Sequence, residues 1–395
     1  MGVGGIMNDR QKPVEAEIEQ SSRVELGEVR RYMEQHFAEP LTVGQLAAMA
    51  GISTKYFVDL FKKTYSQSAI EYLTDLRINR AKRYLTETDF KLREIAQKVG
   101  YSDEFYFSRK FKKEVGLSPS AFGTQPRRRI AACSPSLVGQ LLALNIVPVA
   151  APLDSKWTPF YYNVYQFSIS VHMRYGETQR NEELDKLVKA RPDAIIGPDQ
   201  LSDSQKRKLG DIAPSLFIDS AQGDWREQLR QIAVFAGCEQ QAEAWIEGYR
   251  YKLEHAKAHI QRVVQENKFA VLRVYGTSVH VYCNRSIREV LYEDLQLSPA
   301  YQQDGIYNCP ISLSELHRLE PSRLLVLVCP EAESRAYWLS LQHNAEWRAL
   351  QAVQAGCVYL VPSDPWFEYS AVAVNRMLDE MLLLITGYSP KAGMD

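Results

Sequence analysis

Side chains able to recognise a polar partner fall twice in this sequence, about 50 residues apart. Thr54, Lys55, Val58, Asp59 and Lys62 occupy the outer face of one helix-period pattern, and Glu104, Ser108, Arg109 and Lys112 that of another. Cations on such a face donate to phosphate oxygens, and polar side chains hydrogen-bond base edges. Neither group places a nucleophile beside a base, so the chemistry on offer is recognition. The residues of covalent or metal chemistry are dispersed. His255 and His259 are four apart, as in a helical metal pair, but no third ligand accompanies them. The six cysteines show no C-x-x-C spacing and are expected to be buried thiols. There is no G-x-S-x-G elbow and no phosphate loop, so no catalytic and no metal residue is assigned.

The elements that must position the two faces are themselves a repeat. Ala47, Gly51 and Ser53 recur 49 residues later as Ala96, Gly100 and Ser102, and Phe57, Phe61, Lys62 and Lys63 recur 50 residues later as Phe107, Phe111, Lys112 and Lys113. A repeat of this length is one supersecondary unit used twice. Each copy reads as a short apolar helix, a Gly turn and a longer helix ending in F-K-K, the pattern of a helix-turn-helix. Ahead of the repeat, a helix is expected over Val24–Phe37, with Val24, Val29, Met33 and Phe37 inward and Pro40 ending it. Thr42 and Gln45 form a capping box. The first recognition helix is expected over Thr54–Thr64, with Tyr56, Phe57, Leu60 and Phe61 as its core stripe. A connecting helix over Ser68–Leu85 follows, whose Arg77, Arg80, Lys82 and Arg83 are solvated or contact phosphate. Ser102 is placed to cap the second recognition helix, whose apolar side draws on Phe105, Tyr106, Phe107, Phe111 and Val115. Ser118-Pro119 opens a last short helix.

Charge divides at the same place. Residues 40–129 carry 17 Lys and Arg against 9 Asp and Glu, whereas residues 130–395 carry 25 against 31, under a net charge of -1. A basic head on an acidic body suits a nucleic-acid binder joined to something else. Residues 1–22 read as a disordered tail. The stretch MGVGGIMNDRQKP lacks the apolar core of a secretory leader, and no apolar run approaches the roughly 18 residues that span a membrane. The expectation is a cytoplasmic protein without membrane contact.

Residues 24–125, with EIAQKVGYSDEFYFSRKFKKEVGLSPSAF as their signature, resemble the DNA-binding domain of the AraC/XylS family of bacterial transcription regulators. The resemblance implies two helix-turn-helix units, held by the connecting helix, reading successive major grooves about 34 Å apart on double-stranded DNA. By position, Arg109 matches a recognition-helix arginine of the second unit, with Glu104, Phe105 and Ser108 at neighbouring contact positions. Lys55, Val58 and Asp59 fill the matching places in the first unit. Asp59 departs from the basic residue often found there, and can instead accept from a cytosine amino group. Arg127-Arg128-Arg129 is a basic linker.

From Ile130 strands alternate with helices, which implies α/β layers with mainly parallel strands. IAAC, DAIIG (Asp193–Gly197) and Leu216–Ile218 read as strands, and Ser136–Leu144 as a helix. Leu184-x2-Leu187-x4-Pro192 followed by Ala194-Ile195-Ile196 is echoed by Leu313-x2-Leu316-x4-Pro321 followed by Leu324-Leu325-Val326. Two similar α/β lobes are inferred. Between them, Asp224–Ala236 is an amphipathic helix closed by Gly237. Gln240–Val264 then places Ala242, Trp245, Ile246, Tyr249, Leu253, Ala256, Ile260 and Val263 at helical spacing, a rod of about 37 Å.

IAACSPSLVGQLLALNI, LDKLVKARPDAIIG, the stretch from APSLFIDS to AWIEGY and LRVYGTSVHVYCNRSIREVLYEDLQL are similar to the iron-siderophore and vitamin B12 class of transporter solute-binding proteins. The fold expected is therefore multidomain: an all-α double helix-turn-helix head (23–126), a linker (127–129) and a bilobed α/β body (130–388). The body divides into lobe one (130–223), connecting helices (224–266) and lobe two (267–388). With both resemblances, the chain is identified as a member of the siderophore-responsive AraC-type activators. That implies a cytoplasmic one-component activator of siderophore uptake genes with DNA, RNA polymerase and a small metal chelate as partners. The resemblance further implies no intrinsic cofactor and, as effector, a ferric siderophore, catecholate favoured, bound in the cleft. Haem, cobalamin or another chelate is the alternative, and a siderophore-processing enzyme a more distant one. Cations with aromatic walls suit such anions. Trp157, Arg174, Tyr175, Arg273, Tyr275, Tyr282, Arg285 and Trp366 are the candidates, each with packing or an ion pair as its structural alternative.

Overall fold

The computed structural model describes residues 26–65, 67–115, 117–123, 129–174, 181–264, 267–301 and 307–387. The expected tail, Val24, Arg127, Arg128 and Tyr175 lie outside the described residues. Their contacts sort the residues into two compact units, Met1–Arg127 with Phe160–Ser168, and Arg128–Pro159 with Ile169–Asp395. Phe160–Ser168, expected in lobe one, thus belongs with the helical unit.

The helical unit contains α1 (26–35), α2 (Val43–Met49), α3 (Thr54–Tyr65), α4 (Ala69–Glu87), α5 (Leu92–Lys98), α6 (Glu104–Val115) and α7 (Pro119–Gly123). Capping boxes start α2 at Thr42 with Gln45 and α4 at Ser68 with Glu71. Two cores form. Leu26, Val29, Met33, Leu46, Phe57, Phe61 and Tyr72 fill the first, and Ile78, Ala81, Ile95, Phe107, Phe111 and Phe122 the second. α4 serves both, its first turns in one core and its middle in the other, and Phe37 packs against each. Tyr56 is exposed rather than core, as are Phe105 and Tyr106, because the stripe that faces inward on α3 and α6 is the Phe57-Leu60-Phe61 and Phe107-Phe111-Val115 set.

The repeat offset shifts from 49 to 50 between the turn and the second helix, and the structure shows where the extra residue goes. In the first copy the Ser53 hydroxyl accepts from the Tyr56 backbone N–H. In the second the carboxylate of Asp103, not the expected Ser102, accepts from Tyr106 N–H. Ser102 is the inserted residue.

In the second unit β1 (Ile130–Ala132), β2 (Ala150–Pro152), β3 (Val171–Met173), β4 (Ala194–Pro198) and β5 (Ser215–Ile218) form a sheet of order β3-β2-β1-β4-β5, parallel throughout. A second sheet comprises β6 (Lys268–Tyr275), β7 (Ser278–Cys283), β8 (Ser298–Pro299), β9 (Tyr307–Pro310), β10 (Arg323–Val328) and β11 (Val358–Val361). Its order is β11-β10-β6-β7-β9, with β8 on β6; β6, β10 and β11 are parallel, and β7 runs against β6 and β9. The sequence echo is the helix Asn181–Ala190 before β4 and the helix Leu313–Leu319 before β10, both strands being continuous apolar runs as buried parallel strands require. Asp224 caps the helix Trp225–Ala236, which Gly237 ends in the left-handed conformation. The long helix Glu239–Val264 buries Ala242, Tyr249, Ala256, Ile260 and Val264; Val263, expected inward, is exposed.

Gly51 (φ +66°) and Gly100 (φ +83°) make the helix-turn-helix turns with φ values that L-residues avoid. A Cβ at Gly51 would meet nothing within 4 Å, but at Gly100 it would lie 2.7 Å from the Ala38 carbonyl oxygen. Gly51→Ala should therefore cost about 1 kcal/mol, the backbone strain alone. Gly100→Ala should cost about 2–4 kcal/mol. Denaturant unfolding followed by far-UV circular dichroism checks the difference, and equal losses would show that Ala38 moves aside freely.

Candidate functional site

Both recognition helices present the expected faces. Thr54, Lys55, Val58 and Asp59 are exposed on α3, as are Arg109 and Lys112 on α6, with Glu104 and Ser108 half-buried beside them. Phe105 is 77% exposed at the start of α6, an apolar ring with no core to fill. The cations of α4 are largely spent inside the unit. Arg77 donates to the carbonyls of Phe37 (2.7 Å) and Glu39 (2.8 Å) and stacks on Tyr101. Arg80 lies over the Phe37 ring, and burial pushes the Lys82 ammonium down to about 8. These side chains tie the connecting helix to both cores, a role that the sequence reading, which offered solvation or phosphate, did not find.

In the α/β unit, alternation along the β6–β7 hairpin sorts side chains by face. Leu272, Val274, Val279 and Val281 enter the core. Arg273, Tyr275, His280 and Tyr282 take the other face. The Arg273 guanidinium lies 5.1 Å from the Tyr275 ring, 5.5 Å from Tyr282 and 5.2 Å from Phe367, and its Nε reaches Cys329 Sγ at 3.3 Å. Tyr282 packs edge-on against Phe367, and burial raises its hydroxyl pKa. The result is a cation boxed by three aromatic rings, with Tyr275 half exposed.

Trp157 and Arg174 follow β2 and β3 at the C-terminal edge of the all-parallel sheet, where open α/β sheets hold ligands. Lys156 lies over the Trp157 ring at 4.9 Å and approaches Glu331, just after β10, at 3.4 Å. Loops from the C-terminal edges of the two sheets thus meet there. Arg174 is exposed, with Glu182 at 3.7 Å and Glu183 at 3.9 Å. Burial works against the Glu183 carboxylate, but Lys186, the Arg174 backbone N–H and the two cations hold its pKa below the usual value.

Two candidates are placed otherwise. Arg285 donates to the carbonyls of Ser220 and Gly223 and stacks on Tyr369 at 4.6 Å, so its guanidinium ties the loop after β5 to the second sheet's helices. Trp366 is fully buried, and its indole N–H donates to Glu380 at 2.7 Å. Sequence reasoning also missed a buried polar network. Arg226 meets Glu289 at 2.5 Å and Asp294 at 3.3 Å, Tyr249 donates to Asp294 at 2.6 Å, and Tyr369 donates to Glu289. Among the described residues, no group of three His, Cys, Asp or Glu side chains could hold a metal ion, and no helix is long and apolar enough to cross a membrane.

The class these features define is a transcription regulator in which a double helix-turn-helix unit is joined to a two-sheet binding-protein body. The family described as "Helix-turn-helix domain" matches residues 46–125, and that described as "Periplasmic binding protein" matches residues 130–365. The chain belongs to the family of the HTH-type transcriptional activator Btr of Bacillus subtilis (strain 168), to which it is 37% identical over 364 residues, 91% of this chain and 68% of Btr. It is a regulator rather than an enzyme. The Iron-uptake system-binding protein of the same organism is 22% identical over 186 residues, 46% of this chain and 59% of that protein. The triscatecholate siderophore binding protein FeuA from Bacillus subtilis, complexed with Ferri-Bacillibactin, aligns with TM-score 0.54 and 21% identity over 67% of this chain and 94% of its own. The siderophore binding protein FhuD from Vibrio cholerae, bound to Fe3+-Desferal, aligns with TM-score 0.55 and 24% identity over 67% and 100%. At these identities the structural likeness establishes the fold of the body.

Burial pushes the Glu380 carboxyl up to about 7 despite Arg376 and the Trp366 N–H. The folded state therefore holds this proton between about pH 4.5 and 7 where the unfolded chain has lost it, so stability falls as pH rises through that window. Glu380→Gln keeps an acceptor for Trp366 and should flatten the loss while raising the melting temperature at pH 8. All six tryptophans lie beyond residue 129, so Trp emission in the full chain reports this unit's melting. An unchanged pH profile would remove Glu380 as its source.

Proposed function

We propose that this regulator senses a ferric siderophore, catecholate favoured, with Arg273, Tyr275 and Tyr282 contacting the chelate from the second sheet and Trp157 and Arg174 from the first. The observation that carries the reading is the boxed Arg273. A ferric catecholate is a polyanion with flat aryl rings at its rim. A guanidinium among tyrosine and phenylalanine rings offers charge and stacking surface together, and little side-chain entropy remains to be lost. FeuA is complexed with Ferri-Bacillibactin and FhuD with Fe3+-Desferal, which supports the same ligand class here.

The output is site-specific DNA binding in the cytoplasm, with RNA polymerase as the further partner and siderophore uptake genes as targets. Arg109 and Lys112 of α6, with Glu104, Phe105 and Ser108, read one major groove. Thr54, Lys55, Val58 and Asp59 of α3 meet the next. A ligand shifts this output only by binding one arrangement of the protein more tightly than another.

Titrating the full chain with ferri-bacillibactin, ferrioxamine B, haem and cobalamin, followed by Trp emission, tests the effector. Ferri-bacillibactin should bind most tightly. Arg273→Ala should weaken it tenfold or more, with Arg273→Lys in between because it keeps charge but loses the planar face. Tighter binding of haem or cobalamin would overturn the siderophore reading. For DNA, Arg109→Ala should cost about 1–3 kcal/mol at a site selected in vitro from a random pool, while non-specific binding and chelate affinity stay near wild type. Retained site-specific affinity would sink that assignment.

A further inference from the structure

Residues 160–168 leave the sequence between two strands of the parallel sheet, yet their contacts belong to the helical unit. The helix Pro159–Tyr165 begins two residues after Trp157 and ends nine before Arg174. Both flanks are tied. On the near side, the Asp154 carboxylate accepts from the backbone N–H groups of Lys156 and Trp157, both at 2.8 Å, and Asp154 N–H donates to the Thr158 hydroxyl at 2.9 Å. Thr158 is buried, and Pro159 follows at once as the first residue of that helix. On the far side, Ser168 N–H donates to the Tyr165 carbonyl at 2.8 Å, Ile169 is buried, and β3 pairs with β2 up to Met173.

The middle of the segment is clamped on the base of the first helix-turn-helix copy. Arg30 of α1 donates to the Asn163 side-chain oxygen at 2.5 Å, pairs with Glu34 at 3.3 Å and lies 5.5 Å from the ring of Tyr65, the last residue of α3. The fully buried Tyr72 of α4 donates to Glu34 at 2.6 Å. Arg83 donates to the Phe167 carbonyl at 3.3 Å. Buried Val164 and the exposed Phe167 line one furrow with Phe37, Leu76, Asn79 and Arg80. One short segment therefore touches α1 and α4 directly, and α3 through Arg30.

We propose that residues 160–168 are the strut that couples ligand occupancy to DNA binding: a chelate drawn to Trp157 or Arg174 displaces the segment's ends, and the Asn163 clamp carries that displacement to α1, α3 and α4. The ligand half rests on the siderophore reading above. The mechanical half does not. Asn163 and Val164 are positioning residues and touch neither DNA nor chelate.

Two measurements on the full chain separate the halves. Without any ligand, hydrogen exchange in Asn163→Ala/Val164→Ala should quicken in α1 and α4 and also at residues 154–157 and 171–174. Exchange that leaves both flanking stretches unchanged overturns the strut, whatever the effector is. With ferri-bacillibactin, wild type should change its affinity for its selected DNA site about fivefold or more. In the double variant that ratio should fall to one, while chelate affinity by Trp emission and DNA affinity without chelate each stay within about threefold. Asn163→Asp, which keeps an acceptor for Arg30, should preserve the ratio. A ratio unchanged in the double variant overturns the proposal. A wild type blind to ferri-bacillibactin overturns the siderophore reading and leaves the exchange result to decide the strut.

Discussion

Tyr72 and Ile78 stand six residues apart on one unbroken helix and belong to different hydrophobic cores. Six residues advance about 9 Å along an α-helix and turn the side chain roughly 240° about its axis. The two helix-turn-helix copies are therefore fixed to different sides of α4, and the rise and twist of that helix set their spacing. Neither copy could shift without stripping side chains from its core. Arg77 reinforces the arrangement by holding carbonyls at the end of the N-terminal helical segment while its face covers Tyr101 of the second copy. A connecting helix of this kind reads as amphipathic and basic, but its cations are fasteners.

At the centre of the α/β unit a polar network sits among apolar helix contacts. Arg226 leaves the start of one connecting helix to meet two carboxylates of the π-helical turn Arg288–Asp294, with tyrosines from the long helix and from beyond β11 completing the set. Burial raises the pKa of Glu289 and Asp294, and their charges in turn hold Arg226 up. Such a network adds little net stability compared with apolar packing, but losing one member leaves an uncompensated buried charge. It fixes geometry more than it adds energy. Arg285, anchored to two loop carbonyls beneath Tyr369, acts in the same region and the same way.

Local pattern carried much of this into view. The repeat located both recognition helices, the capping box placed the start of α2, and the helix-proline-strand echo found the two buried strands β4 and β10. What it missed depended on partners distant in sequence. Nothing near Trp366 shows that its indole will be enclosed and paired with Glu380, and nothing near Arg285 shows the Ser220 and Gly223 carbonyls. PFYYNVYQFS is aromatic and irregular, and its clamp on Arg30 is 133 residues away. Ser102 differs from expectation for a smaller reason: the repeat inserts one residue after the turn, and the capping role moves to Asp103.

That moved cap makes the duplicated units electrically unequal. The first turn of a helix carries a partial positive charge from its unpaired N–H groups. Ser53 satisfies one of those groups without cancelling the field, and α3 has no acid in its first turn. Asp103 brings a full negative charge to the same point of α6, and Glu104 adds a second. The first copy thus offers an uncompensated positive pole, which any nearby anion would feel, and the second a neutralised one. Two copies of one repeat thus begin their second helices in different fields.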